Sequence, residues 1–345
     1  MARLAGVSIC TVDRVVHDRG RVSEQSRRAV QQAIDVLGYR PSPIASALVR
    51  HRSCPRIGVC ISNVEREFWA EALRGIALAR EALRPFGVEV LEAAAESYRF
   101  EDQALRGLLD RGVSALVLLP VQSKSSQLDA LIPPELPYAT VIEDAPESRR
   151  LFHVGPDNYT MGLLSGRLAS LCTERGMYCV ILTSSRSFCG TQDRIRGFED
   201  FLAAHDPSAA VLETCEVPLD SERIGYESIY AAAAAQMRRH PDMNAFYVTN
   251  GLPQWAAAVE DAGAQGAIQV FGYERTARTE ALLRAGVIGA SVCQDPARQW
   301  YQAVMRMHEH LTGARPVTNP ILPAECRILI QESLPFVRFD RTTGL

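Results

Sequence analysis

The chain has 345 residues, 47% of them hydrophobic and 22% charged, with a formal net charge of −3. That composition excludes a disordered or fibrous protein, and the length is enough for two or three domains of roughly 100–200 residues. No apolar run reaches the ~18–20 residues of a membrane helix and no leader pattern opens the chain, so the expected location is the cytoplasm.

The charge is uneven along the chain. Residues 1–52 hold nine arginines against Asp13, Asp18, Glu24 and Asp35, a surplus of five, which leaves −8 on the remainder. A basic head on an acidic body suits a nucleic-acid contact confined to one end. In that head Gly6 stops a first short helix, and Ser8 caps a second over 9–17 with Val12, Val15 and Val16 inward. Asp18-Arg19-Gly20 breaks the run. Ser23 caps a third helix with an apolar stripe of Ala29, Val30, Ala33, Ile34 and Leu37, ended by Gly38. Two short helices around a glycine turn, packed by a third, follow the helix-turn-helix plan. Next, Pro41–Arg50 reads as a short helix that is marginal in isolation.

From Arg56 the texture changes to strand-like runs alternating with helix-length segments. Strands are expected over 56–61, 88–93, 114–120, 138–143, 178–183, 209–217, 244–249, 268–273 and 288–293. Helices are expected over about 67–84, 100–111, 191–204, 222–239, 276–285 and 296–312. Such alternation implies parallel sheets covered on both faces, and this many strands divide into two lobes. The expected division is 1–39 head, 40–54 hinge and linker, and 55–345 core. Lobe 1 takes 55–152 and 294–320; lobe 2 takes 153–293 and 321–340. The fold class expected is an all-α helix-turn-helix domain plus an α/β core of two doubly wound parallel-sheet lobes, with ligand held between them beyond the strand C-termini.

The run ARLAGVSICTVDRVVHDRGRVSEQSRRAVQQAIDVLGYRPSPIASALVR resembles the N-terminal module of the LacI family of transcriptional regulators. Looser landmarks follow at DN (157–158), RIRGF (194–198), FGYE (271–274) and VCQD (292–295). The resemblance implies a periplasmic-binding-protein-like core and a second helix seated in the DNA major groove. It makes Ser8, Ile9, Cys10, Thr11, Arg14 and His17 the contact set. Ile9 and Cys10 stand where the family varies to choose its operator. Arg14 reads a base edge or holds a phosphate, and Ser8 and Thr11 bond phosphates. Asp13, usually serine in the family, pairs with an arginine or accepts from a cytosine amino group. Ser42, Ala45 and Leu48 fall in the family's hinge helix, Leu48 as the minor-groove wedge. The family's first helix normally starts earlier, so a start upstream of Met1 is expected. The partners implied are a pseudo-palindromic double-stranded operator, a second copy in a homodimer, and a small effector.

For the effector the resemblance picks out Phe68 and Trp69 as stacking aromatics and Arg194 as the cleft arginine. It adds Asn250, Glu274 where aspartate is usual, Gln294, and either Glu143 or Asp144. Amides and carboxylates that bond hydroxyls favour a sugar or polyol, with a phosphorylated or acidic sugar or a purine still open. No cofactor or metal is expected: the nine cysteines (10, 54, 60, 172, 179, 189, 215, 293 and 326) stand singly, and zinc spacing is missing. GxSxG, HExxH, P-loop and GxGxxG patterns are missing too, so an enzyme is not expected. The competing reading is a solute-binding protein without a DNA-binding role, which leaves the first 50 residues unexplained.

Overall fold

A computed structural model describes residues 2–16, 22–37, 55–62, 66–95, 101–120, 125–173, 176–183, 186, 188–217 and 226–337. His17, Ser42, Ala45 and Leu48 lie outside the described residues, as do the side chains of Asp13, Val16 and Phe68. The chain forms two compact units, residues 1–54 with 85–87, and the rest.

In the head, α1 (Ala2–Ala5) ends at Gly6, whose φ of +65° is free of the penalty a Cβ would bring. Ser8 Oγ accepts from the Thr11 amide at 3.1 Å and so caps α2 (Ile9–Val16). Ser23 does the same for α3 (Glu24–Leu37), accepting from the Ser26 amide at 3.2 Å. Val30 and Ala33 are buried and Ala29 and Ile34 half-buried, but Leu37 is 53% exposed, so the expected apolar stripe stops one turn early.

The body carries two sheets wound alike. The first runs β11-β5-β4-β3-β1-β2, from β1 (Arg56–Ser62), β2 (Glu89–Ala95), β3 (Ala115–Leu118), β4 (Tyr138–Val141), β5 (His153–Gly155) and β11 (Ile321–Pro323). The second runs β12-β10-β9-β8-β6-β7, from β6 (Tyr178–Thr183), β7 (Ala210–Glu216), β8 (Ala245–Val248), β9 (Gln269–Tyr273), β10 (Ile288–Gln294) and β12 (Cys326–Leu329). Every pairing is parallel except β10 with β12. Central strands such as ALVL and AFYV are buried along their whole length, as a sheet covered on both faces requires. Alternation still sorts them: Val180, Leu182, Phe246 and Val248 pack in one core cluster, Cys179, Ile181, Ala245 and Tyr247 in another.

Helices α4 (Arg66–Leu83), α5 (Glu101–Asp110) and α6 (Ser125–Leu131) belong to the first winding. The second has α7 (Asn158–Cys172), α8 (Cys189–His205), α9 (Tyr226–Arg239), α10 (Leu252–Asp261) and α11 (Ala277–Arg284), and α12 (Pro296–Thr312) returns the chain. β5, β11 and β12 were not expected: HVG and ILP have three residues and CRIL mixes charged with apolar, so none writes the continuous apolar run of β3 or β8. Since β5 and β11 pair in the first sheet, the first and third crossings between sheets follow Gly155 and Pro323, not residues 152 and 320. Nor were α6, α7 and α10 expected. In α7 the inward residues include Gly162, Ser165, Gly166 and Ala169, too small to mark an apolar face.

Helices α4 and α12 approach so closely that a Cβ built on Gly75 would sit 2.0 Å from the Ala297 carbonyl oxygen. Gly75→Ala should therefore destabilise the fold by about 1–3 kcal/mol through overpacking, despite the ~1 kcal/mol that alanine gains over glycine in a helix. A lower urea midpoint is expected; an unchanged or higher one would show that the helices part freely.

Candidate functional site

Both sheets end their fourth strand in the same unusual way. After β4, Ile142 takes φ +69°, and after β9, Glu274 takes φ +78°. Each hydrogen-bonds through its amide to the neighbouring strand, Ile142 to the Val154 carbonyl at 2.9 Å and Glu274 to the Val292 carbonyl at 3.2 Å. A left-handed conformation costs a non-glycine residue on the order of 1–3 kcal/mol and concentrates at functional sites. At Ile142 the Glu143 amide also bonds back to the Val141 carbonyl at 2.8 Å, which closes a γ-turn of the rare, strained hand.

That turn directs Glu143 to the second sheet's helices, where its Oε2 accepts from the Gly190 amide at 3.1 Å in the first turn of α8. A Cβ on Gly190 would lie 2.7 Å from Glu143 Oε1 and 2.6 Å from the Asn158 side-chain nitrogen, so a larger residue there would displace those two side chains. Burial raises the Glu143 pKa above its ordinary 4.5, opposed by the Arg194 charge and the Gly190 amide. Asp144, the other alternative at this strand end, is already committed. It accepts from Thr140 Oγ1 at 2.9 Å, from the Ala145 amide at 2.7 Å and from Arg150 Nη2 at 2.7 Å, with Arg150 Nε on its other oxygen. His153, on β5, shares a bond with Thr140 at 3.0 Å, and burial lowers its pKa to about 4. Asp144 thus braces the strained turn, and Glu143 is the acid that faces outward from it.

Arg194 is 8% exposed and held on three sides. Its Nε donates to Asn158 Oδ1 at 2.8 Å and its Nη1 to the Thr249 carbonyl at 3.0 Å, and its guanidinium lies 4.1 Å from the Tyr273 ring centroid. Below it, Tyr247 Oη donates to the Arg194 carbonyl at 3.1 Å and shares a bond with Tyr273 Oη, while Phe198 stacks on Tyr247 at 3.9 Å. Glycines let α7 and α8 seat this residue: a Cβ on Gly162 would lie 2.3 Å from the Arg194 carbonyl oxygen. Nη2 has no bond among the described residues.

Glu274 accepts from Gln294 Nε2 at 2.8 Å, and Gln294 in turn accepts from Gln299 at 3.0 Å. Asn250 follows β8 and takes a 3.3 Å bond from Thr249. Gly251 next to it has φ +72°, a conformation that glycine takes without penalty. Trp69 is buried near the start of α4, which follows β1. Asn250 and Glu274 follow C-terminal strand ends and Gln294 is the last residue of β10; Trp69 and Asn250 flank the positions where strand order reverses (β1 with β3, β6 with β8). Sequence reasoning missed Asn158, Tyr273, Gly190 and the Asp144 brace. The DN and FGYE landmarks pointed at the first two.

On the head, Ile9, Cys10 and Arg14 share the open side of α2, and Ile9 is 81% exposed. Thr11 is half-buried, its hydroxyl 2.9 Å from that of Ser8.

Residues 57–315 match the family model for the periplasmic binding protein domain, which spans most of the chain. The chain belongs to that family. Residues 1–42 match bacterial regulatory proteins of the lacI family, so the chain joins a lacI-type head to a periplasmic-binding-protein body. It is 28% identical over 223 residues to the HTH-type transcriptional regulator GalR of Salmonella typhimurium, covering 64% of this chain and 63% of that one. The chain thus spans somewhat under two thirds of that relative's length. The regulator RegA of Clostridium saccharobutylicum is 41% identical over 75 residues, 22% of each protein. Among solved structures, the glucose-galactose binding protein GanP of Geobacillus stearothermophilus superposes with a TM-score of 0.73 at 24% identity, over 83% of this chain and all of that one. A solute-binding protein of Agrobacterium vitis bound with α-D-tagatopyranose gives 0.74 at 19%, over 82% and 96%. Both show the shared fold.

Because the folded Glu143 holds its proton more tightly than the unfolded chain does, it favours folding below the unfolded value near 4.5 and loses that contribution as pH rises through the raised folded value. Glu143→Gln keeps an acceptor for Gly190 and removes the buried charge. It should be more stable than the parent near pH ~7 and show a flatter loss of stability above the unfolded pKa. Parallel plots of urea midpoint against pH for the two proteins would contradict this.

Proposed function

We propose that the chain is a DNA-binding transcriptional regulator whose operator affinity is set by a small neutral sugar or polyol held between the two sheets of the body. The observation that carries the reading is the pairing, in one chain, of a lacI-type head, with Ile9, Cys10 and Arg14 exposed on one helix, and a body of the periplasmic-binding-protein family. GalR and the ribose operon repressor of Halalkalibacterium halodurans, 38% identical over 76 residues, support a regulator of sugar use. In this reading residues 40–54 link head to body, the working form is a cytoplasmic homodimer, and the operator is a pseudo-palindrome.

The site's polarity narrows the effector. Arg194 spends two of its five N–H groups on Asn158 and Thr249; the three that remain, one on Nη1 and two on Nη2, can donate to hydroxyls. Glu143 and Glu274 add two carboxyl groups, which bond hydroxyls. The effector contacts proposed are Phe68, Trp69, Glu143, Arg194, Asn250, Glu274 and Gln294, without Asp144.

Selection from random and genomic duplexes by the full chain should enrich a pseudo-palindrome, bound with steep salt dependence. Enrichment of nothing over random duplex would overturn the reading in favour of a solute-binding protein. Arg14→Ala should relax preference at one base pair per half-site, by about 1–3 kcal/mol. Arg194→Met should leave operator binding intact and remove the response to sugars in the same assay. A thermal-shift screen of neutral, phosphorylated and acidic sugars should find hits in the neutral set.

A further inference from the structure

Asn158 is the first residue of α7, reached directly from the first crossing. Asp157 takes the capping role, its Oδ1 accepting from the Thr160 amide at 3.0 Å, which leaves the Asn158 side chain for another use. Its bond among the described residues is to Arg194, whose Nε donates to Oδ1 at 2.8 Å. A guanidinium has donors and no acceptor, so this bond fixes which end of the amide faces Arg194. Nδ2, with its two N–H groups, is turned away from it.

That far end of the amide meets Glu143. The place where a Cβ on Gly190 would stand is 2.6 Å from Asn158 Nδ2, 2.7 Å from Glu143 Oε1 and 2.9 Å from Oε2. The donor and the carboxyl therefore border the same bare α-carbon. Glu143 Oε2 is engaged by the Gly190 amide at 3.1 Å, and Oε1 has no bond among the described residues. Both residues are half-buried, and neither Nδ2 nor Oε1 is one of the buried atoms that lack a partner. An unused donor and an unused acceptor stand side by side next to the Arg194 guanidinium.

The two differ in what they ask of a third group. A hydroxyl donates one hydrogen and accepts others, so it satisfies both at once. An ammonium group donates to Glu143 but cannot accept from Asn158. An ether oxygen accepts from Asn158 but brings Glu143 no hydrogen. The pair also draws on both sheets, since Glu143 follows β4 of the first and Asn158 opens the first helix of the second winding. A hydroxyl held by both bridges them.

We propose that Asn158 Nδ2 and Glu143 Oε1 form a hydroxyl-binding subsite, in which Asn158 touches the effector and selects a hydroxyl over an ammonium or an ether at that position. The proposal rests on the reading of the body as the sugar-binding part of a regulator, and it adds a residue to the effector contacts. One amide then does two things: Oδ1 holds Arg194, and the N–H groups meet the ligand.

Asn158→Asp separates the two. It keeps an acceptor for Arg194 Nε, places an acid where a helix N-terminus favours one, and removes both N–H donors. Thermal unfolding of the full chain is followed with D-glucose, D-galactose, D-ribose and D-tagatose, and at least one should raise the midpoint. The affinity for that sugar, measured by titration calorimetry, should fall about tenfold or more in Asn158→Asp. Among its monodeoxy forms, one should bind the parent chain markedly more weakly than the full sugar, and Asn158→Asp should lose most of that discrimination. Undiminished affinity in Asn158→Asp, or unchanged discrimination among the deoxy forms, would overturn the subsite and leave the sugar reading standing. No shift with any of the four sugars would overturn the subsite and the sugar reading together, while selection of an operator still judges the regulator separately. Should Asn158→Asp fail to fold, Gly190→Ala decides in its place, because the added methyl displaces the same pair; unchanged sugar affinity there would overturn the subsite.

Discussion

A carboxylate on one sheet bonded to a backbone amide on a helix of the other is the contact around which the candidate site is arranged. Glu143 reaches the Gly190 amide from a turn in which Ile142 is held left-handed, and the lack of a side chain at Gly190 leaves room for the Glu143 carboxyl and the Asn158 amide. Neither condition is cheap. The strained turn costs on the order of 1–3 kcal/mol, and burial works against the ionised acid. The compensation comes from Asp144, which ties Thr140, Ala145 and Arg150 into one brace around the turn. Two adjacent acids thus divide the labour: one is satisfied within its own sheet, and the other is left facing across to the second.

The second sheet repeats the device with different chemistry. Glu274 takes the left-handed position after β9 that Ile142 takes after β4, with the same bond to the adjoining strand. In the first sheet the strained residue aims its neighbour; in the second it is itself the acidic residue. Glu274 is then anchored by Gln294. The equivalence follows from topology. Both windings run through their sheets in the same order, so the fourth strand of each ends at the corresponding place. Strain at two positions related by fold and not by sequence is hard to attribute to packing alone.

The alternation of apolar runs and helical segments was legible because a strand buried on both faces writes a continuous run, as ALVL and AFYV do. The short strands β5, β11 and β12 left no such mark, and the crossings moved with them. The head's caps were legible because Ser8 and Ser23 act within three residues of themselves. Arg194, Glu274 and Gln294 are picked out by landmarks, and all three sit in hydrogen-bonded networks. What the sequence left open between Glu143 and Asp144 depends on Arg150, six residues on, and Gly190, nearly fifty residues on, and no local pattern carries that information. Gly190 in particular reads as an ordinary glycine until the side chains around it are seen.

The placement of these groups bears on how the body can respond to a ligand. A ligand shifts a conformational equilibrium only by the difference in its affinity for the two states. Arg194 is fixed to the second sheet through Asn158, Thr249 and Tyr273, and Glu143 to the first through the brace at Asp144. A molecule that bonds both can do so at one separation of the sheets and must release one of them at any other. The Arg194 side chain is held by its own sheet and the Glu143 backbone by the Asp144 brace, which limits how much of that difference side-chain rotation absorbs. The rest falls on the three crossings, at Gly155, Gln294 and Pro323, and Gln294 belongs both to a crossing and to the Glu274 network. On the proposed reading, the crossing at Gln294 is therefore bonded directly to Glu274, one of the groups offered to the effector.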